Sequence, residues 1–248
     1  MIKNKKRNKK GKLIVIDGTD GSGKATQVKY LTDHLKKDGY KIKVVDFPEY
    51  YKNFFGAFVG HCLSEQYYNF INVHPKIASV IYAADRWESS GEMRKWLEEG
   101  YLVIANRYVS ANQIHQGGKI QNTNKRTDFI KWLDEMEYKA FGIPRPDLTL
   151  YLSLPIEIVM ELLKTRESSQ MKRAYLKKKK DVHEADFKFM KNSVKSALWL
   201  AKNQPNWSKI NCSEKGKILS REKIHEMVYE KVKKVLGMNP VRSLGRSI

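Results

Sequence analysis

The chain has 248 residues, 41% of them hydrophobic and 30% charged, which is typical of one sizeable globular domain and excludes a disordered chain. Because no apolar run approaches the ~20 residues of a transmembrane helix, we expect no membrane span. The two cysteines, Cys62 and Cys212, are too few and too far apart for a disulfide framework or a paired metal site. This cysteine usage predicts a protein of the reducing cytoplasm.

The net charge of +20 is concentrated in two segments. Residues 1–12 hold seven Lys or Arg and no acid, and residues 164–180 hold eight against the single Glu167, so together they supply +14. We expect residues 1–11 to form a basic disordered arm that makes at most loose polyanion contacts. The arm holds no aromatic residue and the second segment only Tyr175, too few for a series of base-stacking platforms, so no specific nucleic-acid binding is expected.

Apolar runs and helical spacing alternate along the chain. Strands are predicted from residue 12 to the first glycine turn and at 41–47, 101–105, 147–154 and 207–212. Helices are predicted at 25–37 and 54–63, from 74–75 through residue 86, in a successor ending at Gly100, and at 125–141, 155–164, 184–202 and 221–236. This order predicts an α/β fold of the P-loop NTPase type, with three layers, a five-stranded parallel sheet flanked by helices, and a basic lid. We expect one domain at 12–236, with the lid at about 165–183 and a tail at 237–248.

The first predicted strand runs into a glycine-rich turn and then a helix, which is the pattern of a phosphate cradle. Glycines there let successive N–H groups converge on phosphate oxygens at the positive end of the helix. Lys24 adds a mobile cation, while Ala25 stands where the strict P-loop pattern has a hydroxyl that binds magnesium. The predicted ATP phosphate-binding residues are Gly18, Thr19, Asp20, Gly21, Ser22, Gly23, Lys24, Ala25 and Thr26.

Four stretches resemble the thymidylate kinase family, and the resemblance runs from Lys12 to about Leu236. They are the glycine loop at 17–24, the Phe47-Pro48 pair, and the two blocks Tyr-Ala-Ala-Asp-Arg-Trp-Glu at 82–88 and Asn-Arg-Tyr-Val-Ser-Ala-Asn-Gln-Ile-His-Gln-Gly-Gly at 106–118. The resemblance implies a nucleoside monophosphate kinase that transfers the γ-phosphate of ATP to dTMP with Mg²⁺, giving dTDP for dTTP synthesis. It also implies a homodimer packed through helices near 73–96 and 130–141.

The same resemblance implies roles for individual residues. Tyr82 stacks on thymine, Arg107 holds the dTMP phosphate, and Arg86 lies at the base and phosphate. Asn112 meets the base edge, and we expect neighbours such as Gln116 or Arg86 to fix its amide. The implied dTMP-binding residues are Asp20, Phe47, Pro48, Tyr82, Arg86, Arg107, Asn112, His115 and Gln116; the metal residues are Asp20 and Glu184; the catalytic residues are Lys24, Arg107 and Arg173.

The chain departs from the family pattern at four positions, namely Ala25, Asn106 in place of an aspartate, His115 in place of an aromatic ring, and Ser153 where aspartate is frequent. These changes alter the expected metal contacts, but they leave in place the groups that donate hydrogen bonds to the phosphates. Gly21 follows Asp20, and family members with glycine there tend to supply the catalytic arginine from the lid. Arg166 and Arg173, the latter beside Lys172, are the candidates, and we favour Arg173.

Two other functions fit parts of the sequence. The glycine loop and lid do not choose the acceptor, so another P-loop nucleoside monophosphate or deoxynucleoside kinase is one alternative. A non-catalytic basic P-loop protein that binds nucleotides or nucleic acid is the other. The choice of thymidylate kinase depends on Tyr82, Arg86, Arg107 and Asn112 together.

Overall fold

Five of the described strands form one parallel sheet in the computed structural model, in the order β2-β3-β1-β4-β5. The structure describes residues 10–64, 70–168 and 180–237, without the side chains of residues 71, 163–168 and 180–186. The strands are β1 (Lys12–Gly18), β2 (Ile42–Asp46), β3 (Leu102–Asn106), β4 (Leu148–Ser153) and β5 (Trp207–Asn211). All four pairings are parallel, and β1 lies between β3 and β4, which confirms the predicted fold class.

Helices cover both faces of this sheet. They are α1 (Lys24–Lys37), α2 (Phe54–Leu63), α3 (Pro75–Glu98), α4 (Val109–Ala111, continued by a π-helix at Asn112–Gln116), α5 (Thr123–Asp134, continued by a π-helix at Glu135–Ala140), α6 (Ile156–Ser168), α7 (Lys180–Asn203) and α8 (Arg221–Leu236). A 3₁₀ turn at Phe70–Asn72 precedes α3, and the short strands β6 (Ser213–Glu214) and β7 (Lys217–Ile218) form an antiparallel hairpin. None of the described helices is both long and apolar enough to span a membrane.

Alternation along β1 divides the core between the two faces. Ile14 and Ile16 pack with residues of α1 and α8, whereas Leu13 and Val15 pack with residues of α3. All four side chains are fully buried, and each such aliphatic side chain contributes roughly 1.5–3 kcal/mol relative to an exposed one. The sheet is therefore held from both sides, and the loops at its carboxyl edge are attached to a rigid base.

The five strands of the sheet agree with the sequence prediction, whereas the β6–β7 hairpin and the helical segment at 109–116 were not predicted, and two predicted helices differ in their course. The predicted break within residues 75–98 is absent, because α3 continues through Ser89, Ser90 and Gly91 to Glu98. Tertiary packing overrides weak helix formers there, since Met93 and Leu97 lie in the core. The predicted helix at 125–141 begins at Thr123 and widens into a π-helix at Glu135.

Parts of the predicted arm, lid and tail lie outside the described residues. The predicted arm has residues 1–9 outside the described part, whereas the backbone N–H of Gly11 donates to Leu97 O at 2.7 Å. The lid expected at about 165–183, with Lys172 and Arg173, includes residues 169–179 that also lie outside it. The same holds for residues 238–248 of the tail and for the side chains of Arg166 and Glu184.

Candidate active site

The glycine loop joins β1 to α1 at the carboxyl edge of the sheet, as the sequence predicts. Gly21 and Gly23 have φ angles of +87° and +86°, a left-handed conformation that side chains disfavour. Gly18 must be a glycine for another reason, since there is no room for a side chain. A Cβ there would lie 2.8 Å from Leu152 O and closer still to Ser22 Oγ. The loop can therefore curl tightly before α1 and aim backbone N–H groups at an anion.

Lys24 folds back over this loop. Its Nζ donates to the carbonyl oxygens of Gly18 and Thr19, both at 2.9 Å, and lies 3.7 Å from Asp20 Oδ1. The hydroxyls of Thr19 and Ser22 are buried without a hydrogen-bond partner. A buried hydroxyl without a partner is costly, so these groups are available to donate to phosphate oxygens.

Arg107 follows β3, the neighbour of β1, and faces the same loop. Its backbone N–H donates to Ile16 O at 3.0 Å, its φ is +62°, and its guanidinium pairs with Asp20. Burial acts to lower the pKa of Arg107, but the carboxylates of Asp20 and Asp17 outweigh it and the pKa is raised. The arginine stays charged, and the strained backbone that carries it is typical of functional positions.

Asp17 connects the glycine loop to the segment after Arg107. It is fully buried, and its Oδ1 accepts from Gly18 N at 2.7 Å while its Oδ2 accepts from Ser110 Oγ at 2.6 Å. This buried carboxylate fixes the start of the loop relative to α4. The sequence analysis quoted Asp17 and Ser110 only as parts of motifs and gave neither of them a role.

The segment after β2 is held against the end of β3. Phe47 N donates to Asn106 O at 3.0 Å, the Phe47–Pro48 peptide is cis, and the Phe47 ring lies 5.6 Å from that of Tyr108. Asn106 Nδ2 donates to Asp46 Oδ1 at 2.8 Å. Burial raises the pKa of Asp46, against the effects of Arg107 and Asn106. Asp46, which the sequence analysis missed, thus places a carboxylate beside Asn106. Asn106 is the residue that replaces an aspartate of the family.

Arg86 and Asn112 meet in a buried network that also contains Glu137. Arg86 Nε and Nη2 donate to the two carboxylate oxygens of Glu137 at 2.6 and 2.7 Å. Asn112 Nδ2 donates to Glu137 Oε1 at 3.0 Å and to Ser79 O at 3.1 Å. Burial acts to lower the pKa of Arg86, but the charge and hydrogen bonds of Glu137 prevail and raise it.

This network changes two details expected from the sequence. One bidentate edge of Arg86 is taken by Glu137, so that edge is not free to bind a phosphate. The amide of Asn112 is fixed by Ser79 and Glu137 and not by Gln116, whose Oε1 is buried without a partner. Glu137 was missed, although it lies four residues after the core residue Leu133 on the apolar face of α5, where a charge is unusual.

Tyr82 and His115 lie near these groups. The Tyr82 ring is 5.7 Å from Phe70, and its pKa is raised mainly by burial. His115 Nδ1 lies 3.3 Å from Ser193 Oγ, its ring stacks on Phe189, and its Nε2 is buried without a partner. Burial, reinforced by Arg107, lowers the pKa of His115 to about 4. His115 is therefore neutral at physiological pH.

Metal-ligating residues form no group of three or more His, Cys, Asp or Glu within the described ranges 10–64, 70–168 and 180–237. Asp20 supplies a partly exposed carboxylate beside Lys24 and Arg107. Mg²⁺ characteristically keeps several waters and takes one or two carboxylates together with substrate phosphates. The residues present therefore fit Mg²⁺ delivered with a nucleotide better than a metal held by protein alone.

Comparison with known proteins identifies the family. The thymidylate kinase family model matches residues 16–224. Thymidylate kinase of Thermoanaerobacter sp. (strain X514) is 31% identical over 192 residues, which are 77% of this chain and 89% of that relative. The human thymidylate kinase is 28% identical over 148 residues, 60% of this chain and 63% of the human protein. The chain belongs to the thymidylate kinase family.

A solved structure agrees in fold with this membership. Thymidylate kinase from Candida albicans superposes with a TM-score of 0.66 at 22% identity, covering 91% of this chain and 92% of that one. Thymidylate kinases are nucleoside monophosphate kinases that use ATP as phosphoryl donor, so the predicted family, fold and enzyme class are confirmed. The individual site residues remain predictions.

Proposed function

We propose that the thymidylate kinase reaction of this chain, transfer of the γ-phosphate of ATP to dTMP, takes place around Asp20. The observation that carries this proposal is the position of its carboxylate between Lys24 of the glycine loop and Arg107 after β3. Lys24 belongs to the side that binds the donor, ATP, and Arg107 to the side that binds the acceptor, dTMP. Asp20 therefore marks the place where the two phosphates meet.

Phosphoryl transfer requires alignment and charge stabilisation more than covalent help from the protein. Lys24 exchanges the carbonyls of Gly18 and Thr19 for the β- and γ-phosphates, while backbone N–H groups of the loop bind the remaining oxygens. Arg107 exchanges Asp20 for the phosphate of dTMP. Arg173 in the lid is our proposed additional catalytic cation.

Asp20 would hold Mg²⁺ together with the nucleotide phosphates, and Glu184 is the second proposed metal residue. Bound Mg²⁺ supplies Lewis-acid stabilisation of the phosphate charge. Ala25 leaves the loop without its usual hydroxyl ligand, so Asp20 carries more of this role than in a loop with serine or threonine.

The base and sugar of dTMP would lie between Tyr82 and the buried network. Tyr82 stacks on the pyrimidine, which is worth roughly 1–3 kcal/mol by analogy with base–aromatic stacking and does not distinguish the bases. Asn112 reads the base edge, and His115 faces the sugar with a smaller ring than the family uses. Phe47, Pro48 and Gln116 complete the proposed site.

A homodimer is the proposed assembly. Exposed apolar side chains lie along one side of α3, where Ile77, Val80 and Trp87 are exposed. Such a stripe at helical spacing fits a helix-to-helix contact with a second copy through the expected region at 73–96. The cytoplasm is the proposed compartment, because Cys62 and Cys212 are both free and buried.

A coupled assay of ADP formation from ATP tests the proposed acceptor. We expect kcat/KM to fall in the order dTMP, dUMP, dCMP and AMP. Burial of the thymine methyl group is worth ~0.8 kcal/mol, so dTMP should exceed dUMP only about fourfold. A preference for dCMP or AMP over dTMP would show that the acceptor site reads another base.

A further inference from the structure

We propose that Glu137 is a positioning residue that sets the choice of thymine over cytosine by fixing the amide of Asn112. This inference deepens the proposed function and depends on Asn112 meeting the base. Glu137 lies on the π-helical turn that follows α5, and Asn112 lies on the π-helical turn that follows α4. Two elements far apart in sequence thus bring these side chains together, and π-helical turns are frequent at functional sites.

The hydrogen bonds leave Asn112 only one orientation. A carboxylate and a main-chain carbonyl are both pure acceptors, and Asn112 meets one of each, Glu137 Oε1 and Ser79 O. The –NH₂ group must face them, so the carbonyl oxygen Oδ1 is the group left to meet a ligand. A flipped amide would place its oxygen against two acceptors in a buried site, which is strongly disfavoured.

This orientation distinguishes the two pyrimidines. Thymine carries a proton on N3 and donates to an acceptor such as Oδ1, whereas the N3 of cytosine is itself an acceptor. Cytosine would therefore require the –NH₂ group of Asn112, which Glu137 and Ser79 already hold. Without this restraint an asparagine could turn to suit either base and would select neither.

Glu137 is itself held in place on its other side by Arg86. Both carboxylate oxygens accept from the guanidinium, and the pair is almost completely buried. Because both oxygens of Glu137 accept from Arg86, the carboxylate meets Asn112 as an acceptor. The role of Arg86 in this proposal is to hold that carboxylate in place, whatever contact its remaining N–H groups make with the base.

Glu137→Gln tests the proposal, because the neutral amide can donate as well as accept and no longer dictates the orientation of Asn112. Glu135→Gln is the matched control, since Glu135 lies on the same π-helical turn and pairs with Lys139 at the surface. We expect the ratio of kcat/KM for dTMP to that for dCMP to fall about tenfold in Glu137→Gln and to stay unchanged in Glu135→Gln. An unchanged ratio in a folded Glu137→Gln enzyme would overturn the proposal.

The Asn112→Ala background separates positioning from a general structural role. If Glu137 acts through Asn112, adding Glu137→Gln to Asn112→Ala leaves the dTMP to dCMP ratio of Asn112→Ala unchanged. A further fall would mean that Glu137 acts through Arg86 or the core, and the proposal would be wrong. The ratio of the Kd values for dTMP and dCMP, measured by calorimetry, provides the same comparison without turnover.

The Glu137→Asp variant and the dTMP preference of the parent enzyme complete the test of Glu137. If Glu137→Gln does not fold, Glu137→Asp keeps the charge for Arg86 but is shorter by one methylene and withdraws from Asn112, so it too should reduce the ratio. An unchanged ratio in Glu137→Asp would then overturn the proposal. A parent enzyme that does not prefer dTMP to dCMP refutes both this inference and the proposed acceptor, whereas a dTMP-selective parent with an unresponsive Glu137 refutes the inference alone.

Discussion

Two ion pairs of the same chemistry lie at the two ends of the proposed dTMP site, in opposite surroundings. Arg107 and Asp20 have side chains that are 25% and 43% exposed, whereas Arg86 and Glu137 are 2% and 0% exposed. The first pair is partly exposed, so Arg107 can exchange its partner for a phosphate. The second pair is closed, so it can only shape its surroundings. The end with Arg107 and Asp20, the exchange end, can therefore release its ion pair to bind a phosphate during turnover. The end with Arg86 and Glu137, the fixed end, keeps one arrangement that selects the base.

Lys24→Ala should have the largest effect, because it removes a cation at the end built for exchange. We expect kcat to fall about 10²–10³-fold, the cost of losing one donor to developing charge. Steady-state kinetics with saturating ATP and dTMP measure this, and Lys29→Ala is the control, since Lys29 pairs with Asp33 on the exposed side of the same helix. A kcat near that of the control would show that the glycine loop is not the donor site.

Glu137→Leu should have the largest effect on stability, because it leaves Arg86 charged and buried without its partner. Loss of one member of such a pair costs about 3–5 kcal/mol in the free energy of unfolding. Asp20→Asn breaks the corresponding exposed pair and should cost no more than about 1 kcal/mol. Urea unfolding of both variants measures the contrast.

Replacing both members of the buried pair sharpens this result. Arg86→Met combined with Glu137→Leu removes both charges and should recover most of the lost stability, while the choice between dTMP and dCMP stays lost. Equal costs for Glu137→Leu and Asp20→Asn would mean that the two ends do not differ as their burial indicates.

The same contrast explains what the sequence could predict. The glycine loop at the exchange end is made by consecutive residues whose glycine spacing determines the local backbone, so residues 17–24 could be predicted from one motif and Arg107 from a second. At the fixed end, Arg86 and Asn112 also lie in motifs, but Ser79 and Glu137 do not, and the four residues come from three separate helical segments. No local pattern specifies that Glu137 meets Asn112, because this depends on two π-helical turns and on how α3 and α5 pack.

Asp20→Asn should have a moderate effect at the exchange end. The variant removes the carboxylate proposed to hold Mg²⁺, and we expect the Mg²⁺ concentration for half-maximal rate to rise several-fold. A Mg²⁺ titration at fixed ATP and dTMP measures this, with Glu184→Ala tested in the same way.

Asp46→Asn provides the comparison for this titration, because Asp46 accepts from Asn106 and is a further carboxylate near Arg107. A shift in Asp46→Asn without one in Asp20→Asn would assign the metal to Asp46. If none of the three variants changes the titration, the metal is held by the nucleotide phosphates and not by these carboxylates.

The smallest expected effect concerns His115, whose pKa is lowered to about 4, mainly by burial. In the unfolded chain the ring titrates near its ordinary value of about 6.5. Between these values the unfolded chain binds a proton that the folded chain does not. The free energy of unfolding should therefore fall as the pH drops from 7 to 4, by at most about 1.4 kcal/mol per pH unit from this group. His115→Phe cannot titrate, so urea unfolding of this variant should depend less on pH over that range, and a pH profile parallel to that of the parent would mean that the ring protonates equally in both states.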